Sequence, residues 1–245
     1  MSNFGMLLAP TFRSNVYLQL FLKKGLKPAK IFLLSDENTK VLPGQMPDEA
    51  KQMLMGMDIQ DYGIDLNASI SELIKMNELD CEILTTMNVN DTVVVDAMQS
   101  SNLDQVVYSG FGGAIVSKEI INSGVGLLHA HSGKVPEYRG STTIYYSILK
   151  DGKCYVSVFF LDKNIDTGPL LKVKEYSLPS DGRTIDYIYD AYIRADAISD
   201  VVSTGNYEVI NDSTEREDNA ETYFIVHPVI KHLSILACNE KSIKK

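Results

Sequence analysis

Gly126-Leu-Leu-His129-Ala-His131-Ser-Gly-Lys-Val-Pro-Glu-Tyr-Arg-Gly140 is the stretch on which the fold of this 245-residue chain turns. Residues 125–130 are an apolar run, read as a short buried strand that stops in a loop punctuated by Gly133, Pro136 and Gly140. On an extended backbone His129 and His131 project to the same side. Two of the chain's four histidines are thus focused on one spot at a strand's carboxyl end, which in open α/β sheets is where ligands bind. Downstream, Phe159-Phe-Leu161-Asp162-Lys-Asn-Ile165-Asp166-Thr-Gly168 reads as a second apolar strand ending in two carboxylates and a glycine turn. The histidine pair and an aspartate, at two such strand ends, are expected to converge on one substrate.

The two motifs, in this order, resemble the signature of the folate-dependent formyltransferases, roughly Asn-x-His-Pro-Ser-Leu-Leu-Pro-x-Tyr-Arg-Gly and then Asp-x-x-Asp-x-Gly. The likeness covers roughly residues 100–175 and extends over the earlier part of the chain only in pattern. It departs from the family at His129, which stands in place of the Asn, and in the replaced Pro-Ser-Leu-Leu segment. By motif position the resemblance makes His131 and Asp166 the catalytic His and Asp, and puts His129 where the family has an oxyanion-binding Asn. A neutral imidazole supplies one N–H for that role. The resemblance implies a Rossmann-like, doubly wound, mostly parallel sheet and N10-formyltetrahydrofolate as co-substrate.

It also places the pterin against the backbone of two loops. Phe111, Gly112, Gly113, Ala114, Ile115 and Val116 form the first, and Leu161, Asp162 and Ile165 belong to the second. Glycines at 110, 112 and 113 let a flat ring approach the backbone, or simply make a strand-to-helix turn. Lys134, Tyr138 and Arg139 are the expected acceptor contacts, with a solvated lysine and a loop-holding arginine as the plainer readings. The likeness is greatest to the compact sugar N-formyltransferases, which implies a nucleotide-linked 4-amino-4,6-dideoxy sugar destined for a surface glycan. Glycinamide ribonucleotide as acceptor, or water in a formyl-folate hydrolase, are the alternatives. On residue types alone, His129, His131 and Asp166 also satisfy a two-His, one-carboxylate metal site suited to Fe(II) or Zn(II).

Composition narrows the partners. Hydrophobic content of 44% and charged content of 22% are ordinary for a globular protein. There is no run of ~18 apolar residues and no basic-then-apolar start, so neither a membrane span nor a signal peptide is expected. Three widely spaced cysteines, Cys81, Cys154 and Cys238, suggest reduced thiols and a cytoplasmic protein. Nucleic-acid binding relies on neutralising phosphates, and a net charge of -9 argues against tRNA or DNA. A tRNA formyltransferase is expected to carry a further basic C-terminal domain; here the basic residues cluster only at 241–245.

Strand-like segments at 4–9, 30–34, 81–85, 103–108, 154–161 and 170–176 alternate with helical ones at 16–24, 69–76, 91–98, 118–122, 142–149 and 184–202. Asn90 is a candidate N-cap for the third helix, and the alternation itself predicts a mostly parallel, doubly wound α/β sheet. No Gly-x-Gly-x-x-Gly asks for NAD or FAD. Residues 36–62 are polar and Met-rich, expected to be an irregular insertion serving as lid or partner surface. Residues 1–205 are expected to form the catalytic domain. Residues 206–245 are expected to supply a charged linker over 211–221 and an apolar segment packed back on the domain. The insertion and that apolar segment are the candidate surfaces for a homodimer.

Overall fold

The computed structural model describes residues 3–36, 44–210 and 221–243, with side chains to residue 239. Short apolar runs too brief for helices become strands: β1 (Phe4–Leu8), β2 (Lys30–Leu34), β3 (Cys81–Leu84), β4 (Gln105–Ser109), β5 (Gly126–His131), β7 (Cys154–Phe160) and β8 (Leu170–Tyr176). They form one seven-stranded sheet in the order β3-β2-β1-β4-β5-β7-β8. The first five are mutually parallel, and β7 runs antiparallel to both its neighbours. The strand order reverses between β1 and β4, so a crevice opens beyond their carboxyl ends. The sheet is therefore the doubly wound, mostly parallel α/β arrangement expected.

Helices cover both faces. On one side α1 (Phe12–Lys23), α3 (Ile70–Met76), α6 (Thr143–Asp151), α7 (Asp190–Thr204) and α8 (Pro228–Ile243) enclose the larger core, which includes Leu128 and Ala130 of β5. On the other, α4 (Thr92–Gln99) and α5 (Lys118–Ile121) pack on a core that includes Leu127 and Tyr108. Period-two alternation places His129 and His131 on the Leu127 side.

Several elements differ from the sequence reading. Within the 36–62 insertion lies a helix, α2 (Asp48–Leu54), followed by a 3-10 turn at Gln60–Tyr62; residues 37–43 lie outside the described residues. Asp91, not Asn90, caps α4, accepting from the Val93 amide at 3.3 Å. Asn90 instead ties down the loop after β4, donating to the Ile115 carbonyl and accepting from the Ser117 amide. The long helix begins with a π turn, Ile185–Tyr189, before α7. Such turns re-aim side chains and recur at functional sites.

The C-terminal apolar segment is a short strand, β9 (Thr222–Tyr223), and α8. β9 pairs in parallel with β6 (Arg139–Gly140), and α8 packs on α6. The expected linker at 211–220 lies outside the described residues. Phe224, Ile225, Val229, Leu233 and Leu236 form a row of exposed apolar side chains along this segment. Among the described residues, no helix is long and apolar enough to cross a membrane.

Candidate active site

β5 ends in His131, which is 4% exposed and held at both ring nitrogens. Nε2 lies 2.8 Å from the Tyr138 carbonyl and 3.3 Å from Thr143 Oγ1. A carbonyl only accepts, so Nε2 carries the proton. Nδ1 is then the basic nitrogen, and it faces Asp166 Oδ2 at 3.5 Å. That carboxylate oxygen accepts from the Gly140 amide at 2.8 Å. The loop of residues 138–140 thus holds the histidine with one carbonyl and the aspartate with one amide.

Asp166 arrives by a route that sequence patterning did not give. Because β7 is antiparallel to β5, with Leu128 opposite Phe160 and His131 opposite Ser157, β7 ends beside the start of β5. The two strand ends therefore lie apart, although His131 and Asp166 meet as expected. The hairpin loop between β7 and β8 instead folds back about 10 Å, three residues of strand rise, to bring Asp166 to His131. Asp166 adopts φ of 54°, a left-handed conformation uncommon for a residue other than Gly. Asp162 serves the turn: its carboxylate accepts from the Asn164 amide and from Thr167 Oγ1.

Behind the histidines stand two charged groups that the sequence reading passed over. Arg194 donates to the Ala130 carbonyl at 2.8 Å and pairs with Asp190 at 2.9 Å. Asp190 in turn accepts from Ser132 Oγ, and Thr143 Oγ1 donates to the Ser132 carbonyl. Their side chains are largely buried, at 16% and 20% exposure. Asp190 and Arg194 are four residues apart on one helix, a salt-bridge spacing that was the available signal. Arg13, from α1, donates to the Gly110 carbonyl at 2.9 Å and braces the loop after β4.

These charges set the protonation of the pair. Burial, reinforced by Arg194, His131 and Arg13, holds His129 well below the ordinary value of 6.5. Burial also lowers His131, offset in part by Asp166 and reinforced by Arg194. Burial alone would raise Asp190, but Arg194, Ser132 and Arg13 outweigh it and keep the carboxyl below its usual range. Both imidazoles are therefore neutral at pH 7. Burial pushes the Cys154 thiol up to about 12 and the Cys81 thiol to about 11, which leaves neither as a nucleophile.

The remaining sequence candidates fall in distinct places. Gly112 and Gly113 are exposed, and a Cβ built on either meets nothing within 4 Å, so the 111–116 loop has an open side. Ile115 and Ile165 are 66% and 55% exposed. The Tyr138 hydroxyl is bound to Asp151 at 2.8 Å and its ring stacks on Tyr155 and Tyr223, so only its carbonyl serves His131. Lys134 pairs with Glu137 at 2.6 Å on the surface. Arg139 is 8% exposed, with Nε and Nη2 buried and unpartnered.

Among the described residues, no three His, Cys, Asp or Glu side chains gather as a metal-holding group. The geometry of His129, His131 and Asp166 thus offers no support for the metal alternative. A cleft of about 310 Å³ lies beside Asp190, lined by Phe12, Arg13, Met46, Pro47, Asp186 and Tyr187 among others. That volume is at the lower end for small-molecule sites.

The profile of the formyl transferase family matches residues 61–197, more than half of the chain, which contains both histidines, Asp166 and the Asp190–Arg194 pair. The chain belongs to the formyl transferase family. Its sequence relatives include a methionyl-tRNA formyltransferase of Finegoldia magna, 29% identical over 168 residues, covering 67% of this chain and 53% of the relative. Another, from Sulfurovum sp., is 26% identical over 57% of this chain and 45% of the relative. The chain thus spans about half the length of these curated relatives.

Solved structures agree in fold. The sugar 3N-formyltransferase WlaRD, crystallised with dTDP and 5-N-formyl-THF, aligns with a TM-score of 0.59 at 15% identity, covering 98% of this chain and 79% of that one. An N-formyltransferase from Helicobacter canadensis, in complex with folinic acid and dTDP-3-aminofucose, gives 0.57 at 14%, covering 97% and 81%. Phosphoribosylglycinamide formyltransferase from Streptococcus pneumoniae gives 0.54 at 16%, covering 83% and 98%.

Proposed function

We propose that this chain moves a formyl group from N10-formyltetrahydrofolate to the primary amine of a small acceptor. The observation that carries the reading is the arrangement of His131 Nδ1 facing Asp166, with the 138–140 backbone holding both. The co-substrate supplies a formyl carbon bonded to N10. Attack by the amine forms a new C–N bond and an oxyanion. The N–H of neutral His129 is the proposed donor to that oxygen. His131 Nδ1 takes the proton released by the attacking nitrogen, becoming an imidazolium that Asp166 stabilises. The same proton passes to N10 as the C–N10 bond breaks, so protons balance and the enzyme returns to its starting state.

The open backbone of Phe111, Gly112, Gly113, Ala114, Ile115 and Val116, with Leu161, Asp162 and Ile165, is the proposed pterin cradle. Exposed apolar side chains beside a glycine turn that accepts close approach support this assignment. For the acceptor we favour a nucleotide-linked amino sugar feeding a surface glycan. The unpartnered Nε and Nη2 of Arg139 suit a phosphate-bearing substrate. Both liganded sugar-enzyme neighbours concern 3-amino or 3N sugars, so the amine position to test includes C3 as well as C4. A charged tRNA is the second reading, because the sequence relatives are methionyl-tRNA formyltransferases. The net charge of -9 weighs against it.

The test is tetrahydrofolate release from N10-formyltetrahydrofolate, measured with UDP- and dTDP-linked 3- and 4-amino sugars, glycinamide ribonucleotide and methionyl-tRNA. Release that depends on an amino sugar supports the reading and names the acceptor. Release with no amine present identifies a hydrolase, and dependence on tRNA alone overturns the sugar assignment.

A further inference from the structure

His129 lies between two aromatic side chains. The β4–β5 register pairs Val106 with Leu127 and Val107 with Leu128; carried one step further, it sets Tyr108 beside His129. On the other side His129 is opposite Phe159. The Tyr108 ring centroid is 6.1 Å from the imidazole, and that of Phe159 5.7 Å, edge-on. A phenyl ring carries no hydrogen-bonding group, so of these two flanking side chains only Tyr108 can hydrogen-bond the imidazole. The atoms concerned, His129 Nδ1 and the Tyr108 hydroxyl oxygen, are both buried and both without a partner, so the bond between them is not made in this arrangement of the side chains. An unmade buried hydrogen bond costs each group its desolvation, and one bond between them would remove both costs. A Cβ on Gly110 would sit 1.9 Å from the hydroxyl, so glycine at this position makes room for the phenol tip.

On the formyl-transfer reading above, we propose that Tyr108 is the positioning residue for His129: a small turn of the facing side chains lets its hydroxyl donate to Nδ1, so the single imidazole proton resides on Nε2 and meets the developing oxyanion. A neutral imidazole has one N–H. With that proton on Nδ1 instead, Nε2 would present a lone pair to the oxyanion and repel it. Burial keeps the phenol a donor throughout the working range, raising it to about 12. The competing partner is the Tyr108 backbone, which also faces the ring; a proton donated to that carbonyl from Nδ1 would leave Nε2 bare. An asparagine in this place has an NH2 group of fixed character and needs no such partner. The His substitution creates the need, and Tyr108 meets it. No covalent bond to Nε2 breaks during turnover; its N–H donates as the oxyanion forms and relaxes as it collapses.

Nitrogen-15 NMR of the imidazoles, with His129 assigned through His129→Asn, reads the tautomer directly at pH 7.5. The expected result is the Nε2–H form in the parent protein and loss of that preference in Tyr108→Phe. An Nδ1–H form in the parent overturns the proposal whatever the activity, so its failure is distinguishable from failure of the formyl-transfer reading. In turnover, Tyr108→Phe should lower kcat at least ~10-fold, with KM for the formyl donor within about threefold and the thermal unfolding midpoint retained. In a His129→Asn background the same change should alter kcat less than about twofold, because the carboxamide brings its own N–H. Equal losses in both backgrounds would make Tyr108 merely structural and overturn the assignment.

Discussion

Arg194 donates from Nη1 to the carbonyl oxygen of Ala130, the residue between the two histidines, at 2.8 Å. Its partner Asp190 holds Ser132, the residue after them. One ion pair on α7 thus grips the histidine-bearing strand end from behind, while its positive member helps keep both imidazoles neutral. Replacing Arg194 with Met leaves Asp190 largely buried and unpaired, which should cost ~2–4 kcal/mol. Both histidine pKa values should rise, moving the acid limb of kcat/KM to higher pH. Urea unfolding and a pH–rate profile check the two effects. Adding Asp190→Asn should recover part of the stability, since the stranded charge is removed.

His131 and Asp166 should behave as one unit. Asp166→Asn keeps an oxygen for the Gly140 amide but removes the charge that stabilises the imidazolium. The expected loss in kcat is ~100-fold or more, with the affinity for a folate analogue within a few-fold. His131→Ala should lose a similar factor, and the double variant little beyond either alone. Steady-state kinetics beside equilibrium folate binding separate this from a folding defect.

The fold and part of the site were legible because their signals are local. Alternating apolar runs and glycine turns mark the strands, and the His129-x-His131 and Asp162–Gly168 motifs lie on continuous stretches. The direction of β7 was not legible, since an apolar run reads the same in either sense; only the sheet register shows that Asp166 must fold back. Asp190 and Arg194 lie about 60 residues from the strand they hold. Nothing local in a charged pair on a long helix says that it faces inward. The role of Tyr108 needs a neighbouring strand and so belongs to the fold, not to a motif.

Acid should destabilise the protein in two stages. His129 and His131 both have folded pKa values below 6.5. Between those values and 6.5 the unfolded chain binds more protons than the folded one, so stability falls as pH drops below about 6.5. The second stage involves Asp196 and Asp200, which bind Lys24 and Lys174, Asp200 also reaching Lys172. Burial would raise these carboxyls, but the lysines lower them below the usual carboxylate range. Their contribution is present above the unfolded carboxylate pKa and is lost as pH falls through the lower folded values. Urea midpoints from pH 8 to pH 3 should show both steps. His129→Phe should flatten the first and leave the second, whereas Asp200→Asn should diminish the second and cost ~1 kcal/mol at pH 7.

Tyr223, on the C-terminal strand β9, should matter to catalysis although it lies 92 residues beyond His131 in the sequence. Its ring stacks on Tyr138 at 5.5 Å and packs on Tyr146 at 4.6 Å. Its carbonyl accepts from the Ser141 amide, and Glu221 accepts from that of Arg139. The backbone so held is the one whose Tyr138 carbonyl fixes His131 and whose Gly140 amide fixes Asp166. Gly140, at φ of 100°, lies so close that an added Cβ would come within 2.3 Å of the Tyr223 carbonyl oxygen. Tyr223→Ala removes the aromatic packing and loosens that backbone, with an expected cost of ~1–3 kcal/mol and a roughly 10-fold fall in kcat. Tyr223→Phe keeps the ring and should retain most of the activity. If Tyr223→Ala lowers the unfolding midpoint but leaves kcat intact at a temperature where it is fully folded, the C-terminal segment stabilises the domain without shaping the site.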